Sequence, residues 1–202
     1  MHRMTKTTIS KIKNEALSQK VPIISADGLL FLKKAIIDNE VKNILEIGSA
    51  VGYSASEMAL IADHVTTIER DEAMYQKAKE NINELGLENK ITLIFNDALS
   101  DEITFSQQFD MIFIDAAKAQ YQKFFNKYKP FLKDNGIIVT DNLNFHNLDY
   151  NRASRGTKGL IKRLNEFKLF LENNDEFETK FTDIGDGMSI SRRVKNEKNH
   201  ND

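Results

Sequence analysis

Five short apolar or β-branched runs, set apart by longer stretches of helical patterning, constrain this chain most. The runs cover residues 43–48, 65–69, 91–95, 109–115 and 136–141. Helical patterning occupies 54–62, 71–85 and 121–132. Strands spaced by helices of this length imply βαβ crossovers and a parallel sheet. Their nearly continuous apolar character suits strands covered on both faces.

The two ends of the chain read differently. Residues 157–173 predict one amphipathic helix, with Leu160, Ile161, Leu164, Phe167 and Leu171 at helical spacing. Residues 177–183 and 188–193 predict two strands around Gly185-Asp186-Gly187, a turn tight enough to make them an antiparallel hairpin. Two helices, about 5–18 and 26–39, precede the first strand. The expectation is a doubly wound, seven-stranded, mostly parallel α/β sheet with a C-terminal antiparallel hairpin and helices on both faces. Its 202 residues suit one domain spanning 1–202, with N-terminal helices in 1–40 and a frayed polar tail at 194–202.

Composition excludes several chemistries. With no cysteine, there is no disulfide, thiolate metal site or cysteine nucleophile. No run reaches the roughly 18–20 apolar residues of a membrane helix, and residues 1–20 lack a signal-peptide core. A soluble cytoplasmic protein is expected. The formal charge is -2, which argues against a chain coated in basic residues but leaves room for a local basic face.

The first chemical motif follows the first strand: Glu46-Ile47-Gly48-Ser49-Ala50-Val51-Gly52-Tyr53-Ser54. Glycines at 48 and 52, at a strand end and ahead of a helix, let backbone approach a ligand closely. Glu69 ends the second strand, 21 positions after Gly48, where an acid accepts hydrogen bonds from ribose hydroxyls. This is neither G-x-G-x-x-G nor a P-loop, and a plain strand–helix turn is the alternative. Asp97-Ala98 follows the third strand, and Asp115 closes the fourth.

The second motif lies at the ends of strands four and five. Adjacent parallel strands bring Asp115, Asp141 and Asn142 together. Two carboxylates and an amide form an all-oxygen site suited to Mg²⁺, with Mn²⁺ possible. The alternative is that the two acids cap the turns that follow them.

In combination, E-I-G-x-x-x-G-Y-S, T-I-E-R, D-A-L, F-I-D-A-A-K and T-D-N resemble the class I S-adenosylmethionine-dependent methyltransferases. They are similar to the cation-dependent O-methyltransferases of the catechol and caffeoyl-CoA type. The resemblance runs from about Val21 to Arg193 and implies a Rossmann-like fold. It implies S-adenosylmethionine as cofactor, with Glu46, Gly48, Ser49 and Ser54 at its methionine part. Glu69 would hold the ribose, Asp97 and Ala98 the adenine side, and Ile24 a loop closing over the cofactor. It implies Asp115, Asp141 and Asn142 as cation ligands and Lys118 as a catalytic residue near the acceptor hydroxyl. His146 is a candidate for facing the acceptor, with a surface-loop role as the alternative.

Charge placement bears on the acceptor. Residues 151–168 carry Arg152, Arg155, Lys158, Lys162, Arg163 and Lys168 against Glu166. Residues 118–133 carry five lysines and no acid. Such segments could contact nucleic-acid phosphates; a solvated helix face is the alternative. Further likeness, in Val21-Pro22-Ile23, Gln120-Tyr121-Gln122 and Gly185-Asp186-Gly187 among others, is to the bacterial tRNA 5-hydroxyuridine methyltransferases. It implies a tRNA anticodon partner, with Arg152, Arg155, Lys158 and Arg163 as contacts, and a homodimer. A small catechol, phenol or caffeoyl-CoA-like acceptor is the alternative. Methylating carbon 5 of a pyrimidine normally needs a covalent nucleophile, usually a thiolate. The missing cysteine therefore favours an oxygen acceptor.

Overall fold

A computed structural model describes residues 2–144 and 153–194. Two helices come first, α1 (His2–Ser18) and α2 (Ala26–Asp38). The alternating body follows: β1 (Asn43–Ile47), α3 (Tyr53–Ala59), β2 (His64–Glu69), α4 (Glu72–Leu85), β3 (Ile91–Phe95), β4 (Phe109–Ile114), α5 (Tyr121–Tyr128) and β5 (Leu132–Thr140). The chain closes with α6 (Arg155–Glu172), β6 (Phe177–Thr182) and β7 (Met188–Arg193).

All seven strands join one sheet in the order β3-β2-β1-β4-β5-β7-β6. The first five run parallel, and β7 is antiparallel to both β5 and β6. The period-2 alternation of side chains splits the core into two layers. Ile44, Met111, Phe113, Ile137 and Val139 pack with apolar residues of α1–α4 on one face. Leu45, Ile47, Ile112, Ile114 and Ile138 pack with α5 and α6 on the other. Edge-on aromatic pairs fill the second layer: Phe125–Phe177 at 5.1 Å, Tyr121–Phe167 at 5.6 Å and Phe105–Phe109 at 5.1 Å. Among the described residues no helix is long and apolar enough to cross a membrane.

Three of the differences from the sequence expectation have a clear local reason. α5 stops at Tyr128 because Pro130 has no N–H to continue it, and a 3₁₀ turn, Lys129–Phe131, follows. β5 begins at Leu132 rather than 136, because Leu132 pairs with Phe109 ahead of a register shift. The β6–β7 hairpin is present, but its connection spans residues 183–187 and is not a tight two-residue turn. The Gly187 N–H donates to the Ile184 carbonyl at 3.1 Å within it.

Candidate active site

The chain runs outward from β1 through β2 to β3, then returns to β4 on the other side of β1. The crevice beyond the β1 and β4 ends is thus a topological switch point, where open α/β sheets bind ligands. A cavity of about 610 Å³ lies there. Its wall includes Ile24, Gly48, Ser49, Ser54, Glu69, Asp97, Ala98, Asp115, Lys118 and Asn142. Ten of the sequence-predicted residues therefore share one wall.

Gly48 is required by close approach. Its φ is +95°, and a Cβ there would stand 2.3 Å from the Asp115 carbonyl oxygen. The loop that follows is held from β2: Glu69 accepts hydrogen bonds from the backbone N–H of Ala50, Arg70 and Asp71, each at 2.8 Å. Ala50 itself has a positive φ of 44°. Glu69 thus orders the glycine loop as well as facing the cavity.

Glu46 does not line the cavity. It is fully buried and accepts hydrogen bonds from the hydroxyls of Ser54 at 2.6 Å and Thr67 at 2.5 Å. Burial pushes its carboxyl up to about 7, against the opposing pull of the two hydroxyls. Its place is behind the wall, as a strut between β1, β2 and α3. Asp97 is exposed at the rim, where one oxygen caps the Leu99 N–H and the other pairs with Arg70 at 3.5 Å.

On the other side, Asp115 accepts a hydrogen bond from the Asn142 side-chain amide at 2.9 Å. Asp141 accepts one from the Asn142 backbone N–H at 2.6 Å. Asn142 holds a left-handed φ of 62°. Burial first, then the Asp115 and Asp186 charges, pushes Asp141 up to about 7. Burial first, with a smaller contribution from Asp186, pushes Asp115 up to about 6. Lys118 opens the 3₁₀ turn Lys118–Gln120 after β4, and its charge opposes both shifts. Asp141 is buried just behind the wall. Among the described residues no group of three or more His, Cys, Asp or Glu side chains is gathered for a metal. The corner instead offers two carboxylates and one amide.

The basic segments are more engaged than their sequence suggests. Arg152 and His146 lie outside the described residues. Arg155, Lys158 and Arg163 stand on α6, and none of them lines the cavity. Lys162 pairs with Glu166, and Lys168 donates to Asn144 at 2.7 Å. Within 118–133, Lys127 bonds the Ser100 carbonyl, Lys129 pairs with Glu176 and Lys133 with Asp110. α6 packs against the 3₁₀ turn of Lys118.

A family model described as O-methyltransferase matches residues 1–194. The chain belongs to the O-methyltransferase family. This O-methyltransferase is 32% identical over 181 residues to the tapetum-specific methyltransferase 1 of Arabidopsis thaliana, covering 85% of this chain and 78% of that one. It is 41% identical, at a TM-score of 0.87, to a Staphylococcus aureus structure solved as a candidate caffeoyl-CoA O-methyltransferase, covering 92% of each. A Bacillus cereus O-methyltransferase in complex with SAH shares the fold at a TM-score of 0.78 and 20% identity, covering 93% of this chain and 91% of that one. The chain is an S-adenosylmethionine-dependent O-methyltransferase.

Several wall residues carried no predicted role, among them Tyr53, Arg70, Asn96, Phe124 and Asp186. Asp186 was legible only as part of a glycine-flanked turn. Its charge acts on Asp115 and Asp141, which are remote in sequence.

Proposed function

We propose that this O-methyltransferase methylates the 5-hydroxyl of 5-hydroxyuridine at the tRNA wobble position, giving 5-methoxyuridine, with Mg²⁺ or Mn²⁺ held by Asp115, Asp141 and Asn142. The observation that carries the reaction is the meeting of the Asp115–Asn142 corner with the glycine loop across one cavity. The donor set fits a hard divalent ion: it is all oxygen, and two neighbouring buried acids repel each other.

When bound, S-adenosylmethionine supplies an electrophilic methyl on a sulfonium, and the divalent ion lowers the pKa of the acceptor hydroxyl. The chain does the rest by position. Gly48 and Ser49 would receive the methionine part, with Ser54, bonded to Glu46, beside them. Glu69 would accept from the ribose, and Asp97 with Ala98 would border the adenine. Ile24, a wall residue in the segment before α2, would cover the cofactor. Holding oxygen, methyl carbon and sulfur in line supplies much of the rate. Transfer of that methyl to the acceptor oxygen would leave a thioether on the cofactor and release the hydroxyl proton. Lys118 takes that proton or stabilises the developing oxyanion.

Support for tRNA comes from Arg155 and Arg163, both exposed on α6, the helix that packs against the Lys118 turn. The names of the relatives favour a second reading, a caffeoyl-CoA-like or other catechol acceptor. Nucleoside mass spectrometry of tRNA from a strain lacking the gene separates the two. Loss of 5-methoxyuridine supports the tRNA acceptor. Unchanged 5-methoxyuridine, with metal-dependent turnover of catechol by the purified protein, supports the second.

A further inference from the structure

Asn142 carries an uncommon backbone conformation and, in it, donates one hydrogen bond to each of the two acids. Asparagine tolerates a positive φ better than most residues, yet the conformation persists only where its surroundings hold it. Upstream, the hold is ordinary: the Asp141 N–H donates to the Ile114 carbonyl at 3.2 Å, and the Tyr121 hydroxyl donates to the Asp141 carbonyl at 3.1 Å.

Downstream, the hold centres on Asn144. The Leu143 N–H donates to the Gly187 carbonyl at 2.9 Å, and the Asn144 N–H to the Asp186 carbonyl at 2.8 Å. The Asn144 side chain then uses both ends of its amide. Its Nδ2 donates to Asp183 Oδ1 at 2.9 Å, and its Oδ1 accepts from Lys168 Nζ at 2.7 Å. A Cβ on Gly187 would stand 2.5 Å from the Asn144 amide carbon, so the side chain lies against bare backbone. One amide thus joins α6, the β6–β7 turn and the end of β5. Its donor meets an acid and its acceptor meets a cation, a match that neither Asp nor Leu reproduces.

We propose that Asn144 is a positioning residue: it holds the left-handed backbone of Asn142, and through it the amide that faces Asp115. The consequence for the cation rests on the ligand reading above; the backbone role does not. Groups outside the ligand set that orient it typically change metal affinity by about 10–100-fold when removed.

The test uses the full chain and two readouts. In Asn144→Ala, amide hydrogen exchange at Asn142 and Leu143 accelerates at least about tenfold, while α4 amides keep the parent rates. Mn²⁺ binding, titrated directly, weakens about 10–100-fold, and S-adenosylmethionine binding stays within about twofold. Asn144→Asp alone places an acid against Asp183 and behaves like the alanine variant. Combining Asn144→Asp with Asp183→Asn restores a donor–acceptor match with Lys168 still paired, and brings exchange and Mn²⁺ affinity back toward the parent. Parent-like exchange at Asn142 in the alanine variant, or a pair of substitutions no better than Asn144→Asp, overturns the proposal. A parent protein that binds no Mn²⁺ defeats the cation reading instead, and amide exchange still decides the role of Asn144.

Discussion

The two halves of the crevice are built by different means. The half proposed for the cofactor gathers neighbours in sequence: Gly48, Ser49 and Ser54 follow one strand, and Glu69 ends the next. Its ties reach one or two elements away, as Glu69 to Ala50 and Glu46 to Ser54 and Thr67. The half proposed for the acceptor gathers strangers. Asp115 follows β4, Asp141 follows β5, and Asp186 and Asp183 come from the β6–β7 turn, with Lys168 on α6. Contiguous motifs suit a ligand common to a large family.

Removing an acid from the acceptor half gives the largest expected effect. Asp141→Ala lowers kcat/KM by more than about 100-fold, beyond the usual cost of an outer group, and leaves S-adenosylmethionine affinity near the parent value. EDTA treatment of the parent does the same. Activity indifferent to EDTA breaks the division of labour between the halves.

The converse variant attacks the cofactor half. Gly48→Ala meets a backbone carbonyl at 2.3 Å and strains a φ of +95°. It costs about 1–3 kcal/mol from the backbone conformation alone, before the clash, and it abolishes measurable cofactor binding. Calorimetry that finds intact cofactor binding shows the loop to be more compliant than its surroundings indicate.

The acids set a pH signature. Asp115, Asp141 and Glu46 have folded pKa values raised to about 6, 7 and 7. Between their ordinary values near 4 and those raised ones, the native state binds more protons than the unfolded chain. Stability from these groups therefore falls as pH rises through that window. Without divalent cations, Tm drops by a few degrees between pH 5 and 8, and Asp141→Asn flattens the drop. Added Mg²⁺ raises Tm more at pH 8 than at pH 5, where protons compete for the same oxygens. An equal Mg²⁺ effect at both values contradicts the shared site.

The smallest expected effect lies on α6. Replacing Arg155, Lys158 and Arg163 with alanine weakens tRNA binding several-fold and lowers the salt slope by about one for each phosphate left without its cation. Tm and cofactor affinity stay near the parent. An unchanged salt slope removes the helix from the acceptor surface and sharpens the case for a small acceptor.

Helix and strand order was legible because both faces of the sheet are covered, so each strand is marked by a dense apolar run and each helix by its stripe. Pro130 shortened a helix that periodicity had extended. The glycine-loop wall was legible for the same local reason: Gly48 stands where backbone approaches Asp115, and Glu69 at the next strand end bonds the loop. Charge was the least legible property. Several of the basic residues in the segments suggested for phosphate binding turn instead to protein carbonyls, amides or acids, as Lys127, Lys129, Lys133 and Lys168 do.

Sequence alone determined the family, the parallel body with its antiparallel edge, and which acids end which strands. These are consequences of periodicity and of residue types read over a few neighbouring positions. Only the tertiary structure decided that Glu46 stands behind the wall, that Asp186 shares the field of Asp115 and Asp141, and that Asn144 bonds to both Asp183 and Lys168. Burial and hydrogen bonding between residues remote in the chain depend on packing, which no local pattern of residues records.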